Sequence, residues 1–230
     1  MNKERNTYTF LYAAIMVIIV AAILSVMAMA LKPLQTRNME TEKKQNILAS
    51  VNIESTADNA EKIYAETIVN SYLVDINGNK KEGDAFSTDL KKEKTKDPSE
   101  RNLPVFECQS ENGLKYVFPV RGSGLWGPIW GYVSLNSDMN TIFGANFDHE
   151  GETPGLGAEI TTAKFRNQFT GKKIFKDSVL TFIVAKKGEV APEEHRVDGI
   201  SGGTITSKGV ENMLLTDFSL YLSFLRRNQE

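Results

Sequence analysis

Apolar and polar positions divide this chain into two unequal parts. From Thr9 to Leu31 the run TFLYAAIMVIIVAAILSVMAMAL carries no charge, with Lys3, Glu4 and Arg5 before it and Lys32 and Arg37 after. As a helix it measures about 35 Å, enough to cross a hydrocarbon core of about 30 Å with some tilt. It exceeds the roughly 7–15 apolar residues of a cleaved leader, so Ala28-Met29-Ala30 is read as part of an uncleaved anchor. No cysteine lies near its end to carry a lipid. Beyond it the period of the pattern changes repeatedly. Residues 39–50 and 58–68 read as helices, the second with Ile63, Tyr64 and Ile68 on one face. Tyr72–Ile76 alternates as a strand before the turn Asn77-Gly78-Asn79. Leu103–Gln109 and Leu114–Val120, joined through Glu111-Asn112-Gly113, predict a hairpin. Further strands are expected at Trp130–Leu135, Ile142–Phe147 and Val179–Ala185. From Thr204 to Arg226, Val210, Met213, Leu214, Phe218, Tyr221 and Leu225 recur at the spacing of a buried helical stripe. The expected class is α+β: a tail at 1–8, a transmembrane helix at 9–31, and one soluble domain at 32–230 with an antiparallel-rich sheet and flanking helices.

Charge changes this picture little. The chain has 27 Lys and Arg against 29 Asp and Glu, a net charge of −2, which argues against a nucleic-acid partner. The single cysteine, Cys108, has no partner for a disulfide. The stretch KKEKTKDPSER at 91–101 lacks apolar periodicity and is expected to be a solvated surface loop. Charge alone leaves the orientation of the anchor open. Lys32, Arg37, Lys43 and Lys44 outnumber Lys3 and Arg5, yet long domains translocate largely regardless of such counts.

Candidate chemistry is concentrated in three segments. Ser201-Gly202-Gly203-Thr204-Ile205-Thr206-Ser207 follows Asp198-Gly199 and opens the last helix, delivering hydroxyls to a helix N-terminus where unpaired N–H groups and the dipole favour an anion. Taken alone, such a segment also reads as an ordinary N-cap. In RGSGLWGPIWGYVSL, residues 121–135, Trp126 and Trp130 sit among glycines, suited either to stacking on a planar ligand or to packing a sheet corner. HEGETPGLGAEI, residues 149–160, places a rigid Pro-Gly turn before a helix expected near Gly157. His149 with Glu150 and Glu152 falls short of a metal ligand set, and no metal is expected.

Taken together, the anchor, Gly-Leu-Trp-Gly-Pro-Ile-Trp-Gly at 124–131, the 149–157 segment and the 201–207 segment resemble, in order and spacing, the C subunits of Na+-translocating NADH:quinone oxidoreductases, bacterial respiratory pumps. The resemblance covers essentially the whole chain. It implies that the soluble domain binds FMN covalently, a flavin transferase having moved an FMN unit from FAD onto the threonine of a Ser-Gly-Ala-Thr element. The matching residue is Thr204, with Gly203 in place of the usual Ala; Asp198 matches the transferase recognition pattern. By chemistry, Thr206 and Ser207 are alternative acceptors. Also implied are ring or phosphate contacts from Glu152, Thr153, Gly155, Leu156, Val197, Ser201, Gly202, Ile205, Thr206, Trp126 and Lys186. The same resemblance implies an electron-relaying subunit without catalytic side chains, working with other membrane subunits in NADH oxidation, quinone reduction and Na+ export, its domain on the periplasmic side of the inner membrane. Two alternatives stand beside it: the homologous G subunit of the ferredoxin:NAD+ oxidoreductase complex, and a membrane-anchored binding module without cofactor.

Overall fold

The computed structural model describes residues 6–110, 113–185 and 189–229. The chain separates into two compact units, one ending at Lys43 and one beginning at Lys44. The first is helical and contains a segment long and apolar enough to cross a membrane, with its side chains exposed. This helix, α1 (Asn6–Ser50), runs without interruption past Pro33, so the helix expected at 39–50 is the end of α1 rather than a separate element.

In the second unit, α2 (Ala60–Thr67) leads into a six-stranded antiparallel sheet. Its strands are β1 (Ile68–Val74), β2 (Lys80–Lys81), β3 (Leu103–Ser110), β4 (Gly113–Ser123), β5 (Pro128–Asn136) and β6 (Ile142–His149), in the order β2-β1-β3-β4-β5-β6. The β3–β4 hairpin forms as expected, although residues 111 and 112 of its turn lie outside the described residues. Alternation sends side chains to opposite faces. Val105, Phe118, Val120 and Val133 face the main core; Phe106, Cys108, Val117 and Tyr132 face a smaller one, which Ile47 of α1 and Val51 just beyond it help to close. Burial pushes the Cys108 thiol up to about 11, Lys115 opposing, as suits a packing residue.

The main core is closed by α5 (Thr204–Leu220), whose expected stripe of Val210, Met213, Leu214 and Phe218 is buried against Phe118 and its neighbours. The helical run breaks at Tyr221 and resumes as α6 (Leu222–Arg227). Tyr221 explains the break: its ring is buried against Phe118 and its hydroxyl donates to the Pro104 carbonyl at 2.8 Å. Between β6 and α5 lie 3-10 turns at Gly157–Thr161, Asn167–Phe169 and Glu193–His195, α4 (Ala163–Arg166), and the short strands β7 (Phe175–Lys176), β8 (Val179–Leu180), β9 (Ile183–Ala185) and β10 (Arg196–Asp198). Two expectations are corrected here. The helix near Gly157 is a 3-10 turn. Val179–Ala185 is not one strand but two, β8 pairing with β7 and β9 with β10, separated where Phe182 turns into the core.

A third correction concerns residues 91–101. They form α3 (Leu90–Glu93) and a 3-10 turn at Pro98–Glu100, and the charges point inward as well as out. Glu93 is buried and accepts from the Asn102 N–H at 2.8 Å and from Lys96 at 2.7 Å. Lys94 pairs with buried Asp217 of α5 at 2.7 Å. A charge run reveals no such pairing because its partner lies more than a hundred residues away.

Replacing Tyr221 by Phe removes one donor and leaves the Pro104 carbonyl buried without it. Chemical denaturation of the full-length protein in detergent should show a loss of about 1–2 kcal/mol; an unchanged midpoint would mean that the carbonyl finds another donor.

Candidate functional site

The loop after β10 is held at its base and left open at its tip. Asp198 N–H donates to Gln168 Oε1 at 2.8 Å, and Gly199 N–H to the Ala185 carbonyl at 2.8 Å. Gly203 N–H closes a turn on the Ile200 carbonyl at 3.0 Å, and Ile200 N–H donates to Ser207 Oγ at 3.0 Å. Gly202 sits at φ +76° with Leu156 against it, a place where a Cβ would be both strained and in collision. Thr204 therefore begins α5 from an exposed apex.

The N-cap of α5 is Gly203, which makes no side-chain capping bond. The first-turn N–H groups are thus not taken by a side chain at the position where Ser, Thr or Asp ordinarily would. Three hydroxyls stand in this turn, and the structure separates their surroundings. Thr206 is buried and donates to Glu152 Oε2 at 2.5 Å; Ser207 is buried and holds Ile200. Thr204 is exposed, and its hydroxyl has no hydrogen-bond partner among the described residues. Of the three, the exposed and unengaged hydroxyl is that of Thr204.

On one side of Thr204 lies a hollow of about 210 Å³, lined by Leu125, Trp126, Glu152, Thr153, Leu156, Gly157 and residues 202–206. Its rim is apolar and open: Trp126 is 69 % exposed, Ile205 59 %, Leu125 49 % and Leu156 42 %. Four large apolar side chains exposed round one hollow mark a place for an apolar ligand surface. On the other side is a second depression of about 580 Å³, where Arg196, Asp198, Ser201 and Lys208 approach; Gly202 and Thr204 border both. A group attached at Thr204 would have an aromatic hollow on one flank and a charged one on the other.

Beneath the hollow is Glu152. Oε1 accepts from the Trp126 N–H at 2.8 Å and Oε2 from Thr206. Glycines make room for this carboxylate, since a Cβ at Gly124 or Gly157 would strike it. Desolvation works to raise its pKa, but the hydrogen bonds from Thr206 and from the Trp126 and Leu125 N–H groups prevail and hold it below its ordinary value of 4.5. His149 Nδ1 accepts from the Glu152 N–H at 3.2 Å, so this histidine shapes the turn.

The structure thus gathers Trp126, Glu152, Thr153, Leu156, Gly202, Gly203, Thr204, Ile205 and Thr206 round one hollow. Ser201 lies on the charged flank, and Gly155 on a further groove behind the Pro154 turn. Val197 is separated from them: it is buried in the core, where β10 pairs with β9, and lines neither hollow. Alternation along β10 turns it inward. Lys186 lies outside the described residues. Leu125 and Lys208 border the site although the sequence pattern does not single them out; Leu125 is adjacent to Trp126, and Lys208 falls one helical turn from Thr204. Trp130, by contrast, stays in β5 with Arg121 over its ring.

Fold and site define a flavoprotein-type domain: residues 124–216 match the FMN-binding domain family, a span that includes every residue of the hollow. The C subunit of the Na(+)-translocating NADH-quinone reductase of Haemophilus ducreyi is 30 % identical over 92 % of this chain and 89 % of its own length. Its counterpart from Pseudomonas aeruginosa is 29 % identical over 99 % of both. The crystal structure of the corresponding C subunit from Parabacteroides distasonis superposes with a TM-score of 0.80 at 48 % identity, covering 85 % of this chain and 96 % of that one. The chain belongs to the family of C subunits of Na+-translocating NADH-quinone reductases.

Glu152→Ala strands the Thr206 hydroxyl and the Trp126 N–H together and should cost about 2–3 kcal/mol by denaturant titration. Glu152 with a lowered pKa contributes stability that is complete above its unfolded value and lost as pH falls through the folded one. Thermal melts of the parent should therefore weaken as pH falls below about 4.5, and Glu152→Gln should flatten that part of the profile; parallel profiles would remove Glu152 from the acid response.

Proposed function

We propose that this chain is the FMN-carrying subunit of a respiratory Na+ pump, relaying electrons within a complex that oxidises NADH, reduces quinone and exports Na+. The FMN is attached covalently, by a phosphoester to Thr204. The observation that carries the attachment is the separation of hydroxyls: Thr206 and Ser207 are buried and engaged, while Thr204 is exposed at an N-terminus without a side-chain cap.

The residues present fit the group. First-turn N–H groups of α5 and the Gly202-Gly203 turn would hold the phosphate, an arrangement that stabilises an anion without requiring a cation in contact. Trp126, Leu156 and Ile205 would cover apolar ring surface, with Thr153 also lining the hollow. Lys186 is proposed as a neighbour that favours negative charge on the cofactor. Bound FMN supplies reversible electron transfer; position and potential are what the chain contributes. Glu152 fixes the Trp126 segment against α5, so the walls keep their spacing as electrons pass. No general base or nucleophile is required for this work.

The proposed topology has residues 1–8 in the cytoplasm, 9–31 crossing the inner membrane and 32–230 in the periplasm. Partners would be the other membrane subunits and, during maturation, a flavin transferase reading the exposed Asp198–Thr204 loop. A covalent link suits that compartment, where a dissociated cofactor is lost.

The test is the intact mass of the full-length protein co-expressed with a flavin transferase. The parent should gain the mass of FMN less one water, and Thr204→Ala should gain nothing. An unmodified parent, with the transferase active on a control substrate, would leave a binding module without covalent cofactor as the better reading.

A further inference from the structure

We infer that Asp217 and Lys94 are positioning residues for the Thr204 site, setting the register of α5 along β4 from the far end of the helix. The functional consequence rests on Thr204 as the attachment residue; the structural part stands without it.

One stretch of the sheet is left with an unpaired edge. β3 and β4 pair only as far as Phe106 and Val117, whereas β4 continues to Ser123 with β5 on its other side. From Phe118 onward, one edge of β4 has lost its partner strand, and its peptide groups need other partners. Pro119 faces that edge and brings no N–H. Two residues on, Arg121 presents both groups, and both are met by side chains. Its N–H donates to Asp217 Oδ2 at 2.6 Å, and its carbonyl accepts from Lys94 Nζ. Lys94 also pairs with Asp217 Oδ1 at 2.7 Å, and Asp217 is 3 % exposed. One ammonium and one carboxylate thus replace a missing strand for a single residue.

The same stripe of α5 stays against β4 all the way to the site. Met213 packs on Gly122 so closely that a Cβ there would meet it at 2.7 Å. Gly209 lies on the Ser123 carbonyl with no room for a side chain. Thr206 reaches Glu152, which holds Trp126 N–H and crowds Gly124. Residues 217, 213 and 209 of the helix therefore follow 121, 122 and 123 of the strand in antiparallel order, and Thr206 continues the line through Glu152 to Gly124 just beyond it. Glycine contacts restrict distance but carry no direction, so they tolerate a slide along the axis. The Asp217–Arg121 bond does carry direction, and it acts on β4 itself, whereas the Thr206–Glu152 and Glu211–Val184 bonds tie α5 to other segments. It fixes the slide at a point about 20 Å along the helix from Thr204.

Three full-length variants in detergent test this. Asp217→Ala removes the lock; Asp217→Asn keeps a carbonyl oxygen for the Arg121 N–H; Ile47→Ala destabilises the domain from the opposite face of the sheet and serves as a control for stability alone. Hydrogen exchange, read by mass spectrometry well below each melting temperature, should be about tenfold faster in segments 121–127 and 202–206 of Asp217→Ala, as expected when a charge-assisted bond is lost. It should be near the parent rate there in Ile47→Ala and largely restored in Asp217→Asn. In modified protein, Asp217→Ala alone should also shift the flavin midpoint potential. If Asp217→Ala exchanges in those segments no faster than Ile47→Ala, or if its potential equals the parent's, the inference is wrong. Failure of the parent to become modified counts against the Thr204 reading, while the exchange comparison still decides the register.

Discussion

Because neither Gly124 nor Gly157 carries a Cβ, the carboxylate of Glu152 can lie between two loops and the first turn of α5, and the site is built outward from it. One oxygen holds the Trp126 segment and the other holds Thr206. Three parts of the chain that are far apart in sequence are thereby tied at one buried charge. A buried carboxylate is tolerated only when its lone pairs are satisfied, and here donors from two of those parts meet that requirement. The rigidity that results allows Leu125, Trp126, Leu156 and Ile205 to remain exposed without collapsing onto one another.

The same arrangement divides the labour of the Thr204–Ser207 hydroxyls. Glu152 engages the Thr206 hydroxyl rather than acting as an N-cap, and Ser207 ties back to Ile200. The Thr206 and Ser207 hydroxyls are used to hold the loop, and the Thr204 side chain is left exposed. The glycine at the cap position leaves the helix dipole directed at that hydroxyl. With the proposed attachment at Thr204, selectivity at this turn would be a matter of burial and hydrogen bonding, since the three side chains carry the same nucleophilic group.

Much of the fold was legible in the sequence. The uncharged run, the β3–β4 hairpin, β5, β6 and the stripe of α5 each follow from local periodicity, because a sheet with two cores and a helix with one buried face impose strict patterns. What misled was local in another sense. Residues 91–101 look solvated because they lack apolar periodicity, yet Lys94 belongs to Asp217. Val179–Ala185 alternates well enough for one strand, and only the inward turn at Phe182 divides it. Val197 stands close to the loop in sequence but the pleat of β10 buries it.

The amino-acid sequence by itself determined the class of the protein: an apolar segment long enough to span a bilayer, an α+β domain, and a glycine-flanked threonine at a helix start, all consequences of short-range periodicity and backbone freedom. By chemistry alone it left Thr206 and Ser207 beside Thr204, which the family resemblance singled out, and it counted Glu152 among ring or phosphate contacts; the exposure of each hydroxyl and the partners of Glu152 stayed open. Those were decided by tertiary structure, because a hydroxyl's availability and a carboxylate's ionisation depend on what surrounds them. The Trp126 segment, the Pro154 turn and the head of α5 acquire their roles only when the sheet and α5 bring them to one side of the domain.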